Sequence, residues 1–165
     1  MAKTYGNRCE IVRTAGQGGQ ADVFVVRDRK GEYPGEWILK RLRNGNRVER
    51  FEREIRALQN FACKRIPPIV DYSLHGTAFL VCERLGGRNL CQWCETSWFS
   101  VEQALALFQQ VVEAVRHAHQ IGIPHRDIKP NNICVSENGS DAYLVDFGIC
   151  QLVEDGLILT TTWNL

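Results

Sequence analysis

Eight consecutive residues, His125-Arg126-Asp127-Ile128-Lys129-Pro130-Asn131-Asn132, constrain this chain more than any other stretch. They place a carboxylate, an ammonium and an amide within six positions. On one side lies the longest helical pattern of the sequence: Val101, Leu105, Phe108, Val112, Val115 and His119 recur at helical spacing. Ser100 and Gln103 form a capping box at its start, and Gly122 and Pro124 close it. On the other side lie two short apolar runs, Ile133 to Val135 and Tyr143 to Val145, around the turn Asn138-Gly139. A polar octet between a long helix and a hairpin is a loop held by structure on both sides. In such a loop a carboxylate accepts a hydroxyl proton, an amide oxygen ligates a hard cation, and an ammonium neutralises a transferring phosphoryl group.

The preceding part has a different period. Ile11-Val12 and Asp22 to Val26 read as strands around the glycine-rich turn Gly16-Gln17-Gly18-Gly19-Gln20-Ala21, and Trp37 to Leu42 as a third strand. Glycines there let backbone N–H groups approach phosphate oxygens. The turn joins two strands, so it is neither a dinucleotide fingerprint nor a Walker loop, and alone it also fits a plain hairpin turn. Val48, Phe51, Ile55 and Leu58 then mark one face of a helix, with Asn46 and Glu49 as its capping box. Ile69-Val70 and Phe79 to Val81 form a second hairpin around His75-Gly76. Arg84-Leu85-Gly86-Gly87 is the expected boundary between the two parts. The order is α+β.

Lys40 reads either as a solvated strand residue or as a point charge aimed at phosphates. Glu52 and Glu54 both lie on the following helix, and periodicity does not choose between them as its partner. Asp146-Phe147-Gly148 follows a strand and offers a second oxygen ligand for a metal.

Gly16, Gly18 and Val23, then Lys40, then His125-Arg126-Asp127 with Lys129 and Asn132, then Asp146-Phe147-Gly148 together resemble the eukaryotic-like (Hanks-type) serine/threonine protein kinase catalytic domain. The resemblance implies a protein-kinase-like fold. Residues 1–85 would be a complete N-lobe, an antiparallel sheet plus one helix. Residues 86–165 would be the first part of the helical C-lobe. It implies ATP with Mg2+ (or Mn2+), and transfer of the γ-phosphoryl group to a protein Ser/Thr hydroxyl. Asp127 resembles the catalytic base and Lys129 the serine/threonine-type lysine. Lys40 resembles the phosphate-binding lysine. Glu54 resembles its helix partner, because the family pattern has an aromatic residue three positions earlier. Asn132 and Asp146 resemble the metal ligands. Gly16, Gln17, Gly18, Gly19, Val23, Ile38, Cys82, Glu83, Leu85 and Cys134 match ATP-binding positions. Arg126 with Thr160, Thr161 and Thr162 matches a phosphorylation-controlled loop.

The chain departs from that pattern in three places. Ala21 stands where the family has a third glycine, which costs roughly 1–2 kcal/mol if the position needs positive φ. Ile38 stands at a small-residue position and is expected to crowd the base. The sequence ends at Leu165, before the family's Ala-Pro-Glu motif. Little or no kinase activity is therefore expected of this stretch alone; the alternative reading is a nucleotide- or partner-binding module without catalysis. A partner or further helices are expected over the apolar face from Val101 to His119.

Composition narrows the alternatives. A net charge of +1 gives no reason to expect nucleic acid. No apolar run is long enough to span a membrane, and Met1 to Gly6 lacks the apolar stretch of a secretory leader. The seven cysteines read as reduced cytoplasmic thiols. Cys91-Gln92-Trp93-Cys94 lacks a second pair at metal spacing and reads as incidental. His119 and His125 are expected as packing residues by the resemblance, and no transition-metal site is predicted.

Overall fold

The computed structural model describes residues 4–5, 8–17, 21–43, 45, 48–59 and 63–147; the side chains of Thr4, Gln17, Arg50, Arg53, Glu54 and Ala57 lie outside it. The roles expected of Gly18, Gly19, Asn46, Gly148 and Thr160 to Thr162 fall on residues outside the described ones.

Six strands form one antiparallel sheet. They are β1 (Thr4–Tyr5), β2 (Cys9–Gln17), β3 (Ala21–Asp28), β4 (Trp37–Leu42), β5 (Ile69–Ser73) and β6 (Phe79–Glu83), in the spatial order β1-β2-β3-β4-β6-β5. Helix α1 (Val48–Gln59) lies between β4 and β5 in the chain. Strand alternation gives the sheet two faces. Phe24, Val26, Leu39, Phe79 and Val81 pack on one face with Tyr5 of β1. Leu42 and Leu80 lie on the other face, in a core with Phe51 and Ile55 of α1. The helix face read from Val48, Phe51, Ile55 and Leu58 is thus the face that packs.

The second part contains β7 (Arg88–Asn89), α2 (Leu90–Thr96), α3 (Val101–Gln120), β8 (Ile133–Val135) and β9 (Ala142–Leu144). β7, β8 and β9 make a small antiparallel sheet. Ser100 and Gln103 form the expected box on α3, each side chain bonded to the other residue's backbone N–H. Helix α2 was not expected. Its own box, Asn89 with Gln92, is present in the sequence, but none of its residues is buried and it has no apolar period to read.

The orientation of α3 differs from the expectation. Leu107, Val111, Ala114 and Ala118 form its buried stripe. The stripe chosen from the sequence faces solvent at Val101 (71% exposed), Leu105, Phe108 and Val112, and His119 is exposed too. The helix is apolar on two faces, so spacing alone could not select the packed one. Ala21 is also corrected. It begins β3 as a buried residue and is not among the positive-φ residues, so no left-handed penalty applies there.

No helix among the described residues is long and apolar enough to cross a membrane.

Candidate active site

A cleft of about 400 Å3 opens between the large sheet and the β8–β9 hairpin. Val23, Val25, Ile38 and Lys40 line it from β3 and β4, and Leu80, Cys82, Glu83 and Leu85 from β6 and the connection after it. Cys134 and Asp146 close the opposite wall. Cross-strand register explains the grouping, since Lys40 lies opposite Val23 and Leu80, and Ile38 opposite Val25 and Cys82. Gly16 is paired with Val23 at the end of β2 but does not line the cleft. Ile66 and Leu144 also line it, and sequence reasoning missed both. Their apolar type carried no sign that their elements meet here.

Lys40 and Asp146 are 106 residues apart and meet across the cleft, Nζ donating to Oδ1 at 2.9 Å. The Lys40 side chain is only 14% exposed, whereas that of Asp146 is half exposed. Glu52, one candidate partner for Lys40, is bonded instead to Arg56 one turn along α1. The other, Glu54, lies on the same helix with its side chain outside the described set.

The octet forms a second cluster. Lys129 Nζ lies 2.7 Å from Asp127 Oδ2. Asn132 Nδ2 donates to the Asp127 carbonyl at 2.8 Å and to Asp127 Oδ2 at 2.9 Å. The Lys129 ammonium, followed by the Asn132 bond, holds the Asp127 carboxyl below its ordinary pKa. Asp127 is therefore a fixed anion that can orient a hydroxyl. With its amide nitrogen committed to Asp127, the buried Asn132 presents its oxygen elsewhere.

His125 ties the two clusters together from beneath. It is 1% exposed. Its Nε2 lies 2.9 Å from the Val145 carbonyl and its Nδ1 accepts from the Asp127 N–H. Those two bonds require the neutral tautomer with the proton on Nε2. Burial accordingly lowers its pKa, against the opposing pull of the Val145 bond and of Asp127 and Asp146. Phe147 is buried beside it, ring centroids 4.7 Å apart. His125 thus packs as expected.

Backbone strain concentrates at the same place. Arg126 (φ 63°) and Asp146 (φ 57°) are the non-glycine residues with positive φ among those described. Such conformations cost of order 1–3 kcal/mol and persist where surrounding contacts over-determine them.

In the cleft wall, burial pushes the Cys82 thiol up to about 12 and raises that of Cys134. Both are protonated, apolar lining groups near neutral pH. Cys91 and Cys94 sit exposed on α2, and no metal-binding group of three or more His, Cys, Asp or Glu occurs among the described residues.

An antiparallel sheet with one helix, set against a helical part that brings Asp146 to its lysine and holds Asp127, Lys129 and Asn132 in one loop, defines a protein-kinase-like fold. The family model for the protein kinase domain matches residues 9–163, and the chain belongs to that family. It is 31% identical over 166 residues to the probable serine/threonine-protein kinase CPE1738 of Clostridium perfringens, covering 98% of this chain and 24% of that protein. It is 31% identical over 168 residues to serine/threonine-protein kinase PrkC of Bacillus subtilis, covering 98% and 26%. The chain thus spans about a quarter of the length of these relatives. Among solved structures, the Mycobacterium tuberculosis PknI kinase domain matches with a TM-score of 0.73 at 24% identity, covering 91% of this chain and 62% of that one. Rad53, solved in complex with AMP-PNP, matches with a TM-score of 0.76 at 22% identity, covering 86% and 38%. At these identities the two structures bear on the fold alone.

Proposed function

We propose that this chain is the ATP-binding and phosphoryl-transfer part of a cytoplasmic serine/threonine protein kinase. Residues 1–85 act as the N-lobe and residues 86–165 as the start of the C-lobe. The observation that carries the reading is the Lys40–Asp146 contact at 2.9 Å, which supports taking the ammonium as the phosphate end and the carboxylate as the metal end of one site.

Val23, Ile38, Cys82 and Cys134 enclose the adenine, while Glu83 and Leu85 offer backbone groups to its edge. Gly16, Gln17, Gly18 and Gly19 contribute backbone N–H groups to phosphate binding, as the resemblance implies. Lys40 holds the α- and β-phosphates, with Glu54 as its carboxylate partner when nucleotide is present. The donor set suits Mg2+ or Mn2+: a carboxylate at Asp146 and an amide oxygen at Asn132 are hard ligands that leave positions for phosphate oxygens. Such a cation, when bound, neutralises charge on the transferring group. Asp127 orients the Ser/Thr hydroxyl and accepts its proton, and Lys129 stabilises the phosphoryl oxygens. Most of this is positioning and electrostatics, where losing one donor typically costs about 2.7–4 kcal/mol of barrier. Arg126, exposed beside Asp127, pairs with a phosphorylated Thr160, Thr161 or Thr162 in the regulated enzyme.

One observation favours a second reading, a nucleotide- or partner-binding module without catalysis. The α3 stripe of Val101, Leu105, Phe108 and Val112 faces solvent, and an apolar surface of that kind is ordinarily covered by further chain or by a partner.

Transfer of labelled γ-phosphate to a generic Ser/Thr protein substrate separates the two. For residues 1–165 alone the expected result is nucleotide binding with little or no transfer. A longer chain that covers α3 is expected to transfer phosphate and to lose transfer on Asp127→Asn. Transfer that persists in Asp127→Asn contradicts the assignment.

A further inference from the structure

Arg65 lies between α1 and β5, and none of the roles above uses it. Its side chain is 13% exposed. Nη1 donates to Asp141 Oδ1 at 2.7 Å, and Nε is 4.0 Å from Glu113 Oε2 on α3. The guanidinium carbon sits 5.9 Å from the centroid of the Tyr143 ring. The Arg65 carbonyl in turn accepts the Leu144 N–H at 2.9 Å. One residue therefore grips β9 at both ends, by its side chain just before Ala142 and by its backbone at Leu144.

Asp146 follows two residues later, in a left-handed conformation that costs a non-glycine residue energy, although Asp tolerates it better than most. The intervening Val145 donates its N–H to the Asn132 carbonyl at 3.0 Å and receives the His125 bond. A three-residue strand has little stability of its own, so these contacts must supply the over-determination that the strained carboxylate needs.

We propose that Arg65 is a positioning residue for Asp146, tying the segment that leaves α1 to the strand that delivers the carboxylate. The contact links the two parts of the fold at a point outside the cleft. The consequence for nucleotide binding rests on the reading of Asp146 as a metal ligand.

Hydrogen exchange tests the positioning without nucleotide. Arg65→Ala is expected to speed exchange of the Leu144 and Val145 amides about tenfold, the size of losing one charge-assisted hydrogen bond. Leu39 and Val81, in the large sheet, are expected to keep wild-type rates. Arg65→Lys should fall between, because it keeps the charge but loses the planar fork. If Arg65→Ala does not fold, Asp141→Asn, whose side chain is 38% exposed, is expected to show the same local pattern at smaller amplitude. Equal acceleration in both regions, or none at Leu144 and Val145, overturns the proposal. In a parallel titration with ATP, Arg65→Ala should lose about tenfold of the affinity gained on adding Mg2+ and keep its Mg2+-free affinity. A wild-type chain that binds no ATP would defeat the functional reading, while the exchange result would still decide the role of Arg65.

Discussion

Gly87→Ala is expected to be the most damaging single-methyl substitution at the junction of the two parts. Gly87 has φ +128°, a conformation that L residues rarely adopt. Strain of that kind costs about 1–3 kcal/mol. A Cβ there would lie 2.0 Å from the Val135 carbonyl oxygen, 2.9 Å from its carbon and 3.0 Å from Ser136 Cα. All three are backbone atoms, so no rotamer change relieves the clash. Relief requires β7 to part from β8, giving up the Arg88↔Val135 and Asn89↔Cys134 pairs. Two backbone hydrogen bonds at about 1 kcal/mol each add about 2 kcal/mol. The total of about 4 kcal/mol lowers the melting temperature by about 8–16 °C for a chain of this size. Gly31→Ala is the control. Its φ is +71°, but nothing lies within 4 Å of the new methyl, so only the backbone term applies. That term, about 1–2 kcal/mol, corresponds to about 2–8 °C. Thermal melts followed by circular dichroism measure both. If Gly87→Ala melts within about 2 °C of Gly31→Ala, the steric argument is wrong.

Two further predictions follow from the site. The unfolded imidazole of His125 titrates near 6.5, and burial lowers the folded value, so the unfolded chain binds more protons below that pH. Stability is then full above about pH 6.5 and falls as pH drops, by at most about 1.4 kcal/mol per pH unit between the two values. Urea midpoints for wild type and His125→Gln at about pH 7.5 and 5.5 check this; a wild-type midpoint that falls no more than the variant's would contradict it. Ile38→Ala removes a branched side chain from the cleft wall opposite Cys82 and Val25. It is expected to tighten ATP binding about fivefold by relieving roughly 1 kcal/mol of crowding, and no gain by calorimetry would count against crowding.

Much of the fold was legible because it rests on local signals. Apolar runs bounded by turn residues placed β3 and β4, the period placed α1, the capping box and period placed α3, and the spacing of Asp127, Lys129 and Asn132 fixed a cluster that needs only one loop. Other features depend on contacts that no local pattern encodes. The packed face of α3 was ambiguous because Leu107, Val111, Ala114 and Ala118 form a stripe as regular as the exposed one. Helix α2 had a readable box at Asn89 and Gln92 but no buried side chain to give it a period. The hairpin strand ends one residue earlier than Tyr143 to Val145 suggests, because Val145 turns its carbonyl to His125. The Lys40–Asp146 contact and the grip of Arg65 on β9 join residues far apart in the chain. They became visible only once the sheet and hairpin were set against each other.

The central claim is that Lys40 and Asp146 form the phosphate and metal ends of one nucleotide site. Calorimetric titration with ATP, with and without Mg2+, tests it in wild type and Asp146→Asn. The account predicts that Mg2+ tightens wild-type binding at least about tenfold, or ~1.4 kcal/mol. Asp146→Asn should lose that gain and keep its Mg2+-free affinity, because Lys40 still meets the phosphates. An Asp146→Asn protein with an undiminished Mg2+ effect, or a wild-type chain that does not bind ATP, would contradict it.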